Sequence, residues 1–143
     1  MTDNAQDLAR RAVACPGWRW MPGMLGQDQS DGATWTCLGR AILAGGREST
    51  RFRWAEPGGA ICRDTEVDML PDLTDPATLG CLLALVREAW GMPTGITVAY
   101  SDDTGRWVVS WSGGTHGGVC GEGATEAAAL VAALEAAPAN TTR

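Results

Sequence analysis

A chain of 143 residues with a net charge of −6 has room for one domain with a sizeable apolar core, and needs neither a metal nor disulfides to hold it. All eleven basic residues are arginine, and they are unevenly spread: seven arginines stand against six acids through Ala60, and four against eleven from Ile61 onward. Nonspecific affinity for nucleic acid comes largely from cations that neutralise phosphates, so an acidic chain is a poor general binder, although a local basic patch is compatible with this balance.

In chain order, a first helix is expected from Asp3 to about Cys15, with Leu8, Ala12 and Val13 inward and Arg10 and Arg11 outward, stopped by Pro16 and Gly17. The following PGWRWMPGMLG reads as a loop. Ala33–Leu43 and Ser49–Glu56 read as two strands of a hairpin across the AGGRE turn, and one short strand is expected near Ala60–Arg63.

The stretch LPDLTDPATLGCLLALVREAWG, Leu70–Gly91, carries the clearest local signals. Asp75 can accept bonds from the free N–H groups of a first turn, and Pro76 sits where a missing N–H costs nothing. Gly91 can adopt the left-handed closing conformation, and Pro93 forbids continuation, so the helix is expected over Pro76–Trp90. Leu79, Leu82, Leu83, Val86 and Trp90 form an apolar face that Cys81 and Leu85 widen, while Thr78, Arg87 and Glu88 read as wet. The apolar run falls short of the ~20 residues a membrane span needs. The Cys81 and Leu85 side suggests a homodimer contact.

Next comes a hairpin in which Ile96, Val98 and Tyr100 alternate with polar or small residues and Trp107, Val109 and Trp111 do the same, joined by DDTG. Ser112–Gly123 reads as a flexible connector with one short strand at Val119 and Cys120. Thr125 is a good N-cap for a last helix with Ala127, Leu130, Val131 and Leu134 inward, and the tail APANTTR is expected to fray. The sum is an α+β class chain: an antiparallel sheet of two hairpins packed with about three helices, sandwich-like, in a single domain over 1–143.

The residues LPDLTDPATLGCLLALVREAWG, the Trp-bearing hairpin with GRWVV and the closing GATEAAALVAALEAAP resemble the phage α-β-α sandwich domain of small bacteriophage and prophage proteins. The likeness covers about residues 70–138, preceded by a helix-hairpin portion over 1–69. The resemblance implies an accessory role in phage biology and supplies no catalytic residues.

Candidate chemistry is sparse. The single histidine, His116, sits in a glycine-rich stretch and reads as solvated; with Cys120 it gives two of the three or four ligands zinc needs. GEGATE places glycines before a helix start, but a cap explains it, and Glu126 repels phosphate. The acids Asp64, Glu66, Asp68, Asp72 and Asp75 lack calcium-loop spacing and read as a solvated connection plus one cap. No enzyme activity, metal or cofactor is expected. Five widely spaced cysteines without a C-x-x-C pair, behind a polar start, read as core thiols of a reduced cytosolic protein, and the phage resemblance implies the cytoplasm of a bacterial host.

A binding role fits better. Arg19 and Trp20 in WRW, and Arg51 and Arg53 in RFRW, are the candidate binding residues, where arginine and aromatics interleave. The expected partner is a host or phage protein, with inhibition of a host defence complex as one form and no membrane contact. Nucleic acid held by the arginines is the alternative.

Overall fold

The structure, a computed structural model, describes residues 3–57, 59, 62–65 and 68–138. It is α+β. The elements run α1 (Asp3–Ala14), β1 (Leu25–Asp28), β2 (Thr34–Ile42), β3 (Glu48–Ala55), β4 (Cys62–Thr65), β5 (Met69–Pro71), α2 (Pro76–Ala89), β6 (Ile96–Ser101), β7 (Arg106–Gly113), β8 (His116–Gly123) and α3 (Glu126–Glu135). The two expected hairpins fall in two separate antiparallel sheets, of five and three strands. The chain divides into two compact units, Trp20–Cys81 and Met1–Arg19 with Leu82–Arg143. The tail from residue 139 lies outside the described residues.

In the Trp20–Cys81 unit the strand order is β4-β3-β2-β1-β5, so three residues of sequence connect opposite edges of the sheet. From Thr65 to Met69 an extended chain reaches at most about 14 Å, whereas four strand spacings in a flat sheet are about 19 Å. The sheet therefore curls. Its inner face holds Trp35, Cys37 and Trp54, all buried, and the Trp54 ring lies so close over Gly26 of β1 that an added Cβ would sit 2.9 Å from it. Both β1 and β5 were missed in the sequence, because four and three residues ending in Asp and Pro are too short to show alternation.

The cap of α2 is as expected: the Asp75 carboxylate accepts from the Thr78 N–H at 2.8 Å. Thr78 itself is a correction. Expected in water, it is fully buried, because its hydroxyl donates to Asp75 at 2.8 Å and accepts the Leu25 N–H at 2.9 Å. A hydroxyl with both roles filled loses little on leaving water. At the far end Gly91, at φ +66°, closes the helix as predicted, its N–H on Glu88 O at 3.0 Å and the Met92 N–H on Arg87 O at 2.9 Å.

In the other unit, α3 lies on the three-stranded sheet, β6-β7-β8. The approach is close because β8 presents glycines to it: a Cβ on Gly121 would stand 2.4 Å from Ala133 N, and one on Gly123 would stand 2.6 Å from Ala129 N. Hence the expected connector over Ser112–Gly123 is instead the end of β7, a two-residue turn and a full strand, β8, paired with β7 from Trp107↔Gly123 to Gly113↔His116. Its glycines, which suggested looseness, let a helix backbone pack on a strand. Thr125 caps α3 as predicted, accepting the Ala128 N–H at 3.1 Å. Trp90 donates its indole N–H to Ala133 O at 2.9 Å, and α1 reaches α3 through Arg11 and Glu135. Leu85, expected on an uncovered side of α2, is fully buried, while Cys81 is half-buried, so no uncovered Leu85 is there for a homodimer contact.

Candidate functional site: the β2–β3 ribbon

Neighbouring strands flank β2 and β3 over only part of their lengths. β1 pairs with β2 over Thr34–Thr36, and Gly23 and Met24 extend that support to Cys37; β4 pairs with β3 over Phe52–Ala55. From Arg40 to Arg51 the two strands pair with each other and with no third strand among the described residues. This segment is a two-stranded ribbon projecting beyond the curled sheet. Its turn is closed by the Leu43 N–H on Arg47 O at 2.7 Å, with Gly45 and Gly46 at φ +86° and +79°. Between the pairs Arg40↔Phe52 and Ile42↔Glu48 the register breaks, and the Ser49 hydroxyl accepts the Arg51 N–H at 3.0 Å.

The ribbon and its base hold an unusual surface. Leu38, Ile42 and Leu43 are 47%, 63% and 47% exposed. Isolated exposed apolar residues are ordinary, but three large ones within six positions are more than a water-facing hairpin carries. Between Leu38 and Arg53 stand four arginines, Arg40, Arg47, Arg51 and Arg53, against one acid, Glu48, on a chain that is acidic overall. Arg40 lies over the Phe52 ring, 5.7 Å from its centroid, which holds one guanidinium in place.

The four residues singled out in the sequence are distributed differently. Arg51 is exposed in the ribbon, and Arg53 is exposed at its base, opposite Gly39 of β2 and Asp64 of β4 in register. Trp20 packs edge-on against Trp54 with centroids 4.9 Å apart, a core contact. Arg19 belongs to the other unit, where it forms an ion pair with Glu88. Sequence reasoning passed over Leu38, Ile42, Leu43, Arg40 and Arg47. The available signal was GRAILAGGR, in which apolar residues run directly into a glycine turn that a water-facing hairpin would make polar.

Comparison with models of known families, with curated proteins and with solved structures finds no match.

Elsewhere, His116 is exposed at the start of β8 and Cys120 is buried. Asp72 accepts from Thr74, Asp75 caps α2, Asp68 is exposed, and Glu66 lies outside the described residues. Among the described residues no three His, Cys, Asp or Glu side chains gather as a metal-binding group. Burial pushes the thiols of Cys15, Cys37, Cys81 and Cys120 up, away from the reactive thiolate. Among the described residues no helix is long and apolar enough to cross a membrane.

Proposed function

We propose that this is a non-catalytic phage accessory protein acting through protein–protein contacts, with inhibition of a host defence complex as its concrete form. The observation that carries the reading is the ribbon, on which Leu38, Ile42 and Leu43 meet water beside several arginines. Apolar side chains with arginine among them have the composition of a protein interface. A two-stranded ribbon is marginal by itself and gains from a partner that buries one face. The likeness of residues 70–138 to the phage sandwich domain supports the phage setting.

The test is capture from bacterial lysate by the immobilised protein and by an Ile42→Asp, Leu43→Asp double variant. Both positions are exposed, so the substitutions open no cavity and leave no buried polar group unpaired. The wild type retains a partner in near-stoichiometric amount, and the variant retains about tenfold less or below, a loss of about 1.4 kcal/mol. A wild type that retains nothing, or a variant that retains as much, overturns the reading. The four arginines favour nucleic acid as a second reading. It requires salt-sensitive binding to a DNA or RNA duplex, weakened by Arg51→Ala and Arg53→Ala.

A further inference from the structure

The three-stranded sheet has an edge, β6, that no other strand pairs with among the described residues. The Ser112 N–H bonds to Gly95 O at 2.9 Å, and the register runs from Ile96↔Trp111 to Ser101↔Arg106. Antiparallel alternation then directs the N–H and C=O of Thr97, Ala99 and Ser101 toward β7, and those of Ile96, Val98 and Tyr100 outward. Arg87 takes the Ile96 carbonyl, with Nη2 at 3.0 Å and Nε at 3.3 Å. Among the described residues no other group bonds to the outward N–H and C=O of Val98 and Tyr100. Natural edge strands are blunted by charge, proline or a bulge. β6, ITVAYS, is uncharged, holds no proline and pairs without a break.

We propose that β6 pairs antiparallel with β6 of a second copy about a two-fold axis at Ala99, joining two three-stranded sheets into one of six. In this register Val98 stands opposite Tyr100 of the second copy, and their outward groups exchange four amide hydrogen bonds across the axis. On one face a β-branched side chain meets an aromatic one twice, a favourable cross-strand pair. On the other face the two Ala99 residues meet as a non-hydrogen-bonded pair with Cα atoms about 4.5 Å apart, and alanine leaves room for that approach.

Charge selects both the occupant and the register. Asp102, exposed in the turn after β6, comes opposite Ile96 of the other copy, beside Arg87, and the symmetry makes this contact twice. A groove of about 460 Å³ lined by Ala84, Arg87, Glu88, Gly91 and Pro93 adjoins Arg87, and the Glu88 carboxylate in it is already paired with Arg19. The Ile96 carbonyl stays with Arg87, so the pairing gives up no existing bond. A strand with a guanidinium at its start and a carboxylate at its end is complementary to its own two-fold image. This contact is separate from the ribbon, and its test is independent of the partner proposed there.

Cross-linking reads the axis directly. With mild oxidant at micromolar concentration, Ala99→Cys forms a covalent dimer at least about tenfold faster than Thr97→Cys, because disulfides need Cα atoms within about 7 Å and the two Thr97 residues stand four strand positions apart. Light scattering gives the wild type twice the mass of one chain. Val98→Pro, which deletes an outward N–H and leaves the β7 ladder intact, returns it to one. Arg87→Glu weakens association, and Asp102→Arg added to it restores it. A wild type that stays at the mass of one chain up to hundreds of micromolar overturns the proposal, as does equal cross-linking of the two cysteine variants. If Val98→Pro fails to fold, the cysteine pair decides.

Discussion

Thr78 sits in the first turn of a helix whose exposed neighbours, Pro76 and Ala77, would put it in water, yet no part of it is accessible. Its hydroxyl joins two segments far apart in sequence, donating to the cap Asp75 and accepting from the N–H of Leu25. Thr78→Val keeps the shape and removes both roles, leaving a part-buried N–H and a carboxylate oxygen each short of one partner. The expected cost is about 1–3 kcal/mol, read as a lower urea midpoint, with Thr78→Ser much closer to wild type. Equal stability of Thr78→Val and wild type would show that the hydroxyl contributes nothing net. Asp75, Pro76 and Gly91 were legible in the sequence because a helix end solves its hydrogen bonding with residues a turn away. The burial of Thr78 was not, because its second partner lies on β1, 53 positions earlier.

At the scale of elements, the same distinction separates what could be read from what could not. The β2–β3 and β6–β7 hairpins and all three helices follow from local periodicity and turn residues. β8 did not, since HGGVCGEG has almost no strand propensity and is a strand because β7 pairs with it and α3 packs directly on its glycines. Nor was the ribbon legible: that β2 and β3 outrun β1 and β4 depends on strand lengths elsewhere in the sheet. Support on the flanks predicts where the hairpin opens first. In hydrogen exchange the amides of Arg40, Ile42 and Glu48 are expected to exchange through local opening, while those of Trp35, Cys37 and Trp54 approach the protection of global unfolding. Uniform protection along the hairpin would mean that the ribbon is held as firmly as the sheet.

For the molecule as a whole, the Trp20–Cys81 unit is one continuous stretch, whereas the other unit is made of both ends of the chain. In that unit α1 buries Ala9 and Ala12, and Arg11 reaches Glu135 at 2.5 Å across 124 positions. The ion pair is solvent-exposed and contributes at most about 1 kcal/mol, so the apolar contact carries the docking. Deleting residues 3–15 is therefore expected to lower the thermal midpoint several-fold more than Arg11→Ala does. Equal effects would assign the docking of α1 to its charge. The sequence signalled α1 as an amphipathic helix but not its destination, since alanines at helical spacing suit many surfaces.

That arrangement also has a consequence in time. During synthesis α1 leaves the ribosome before every other element described, and α3, which it contacts, leaves after all of them. At about 5–20 residues per second, the interval between Arg11 and Glu135 is on the order of ten seconds. Throughout it the continuous unit can complete its sheet, while α1 waits for α3.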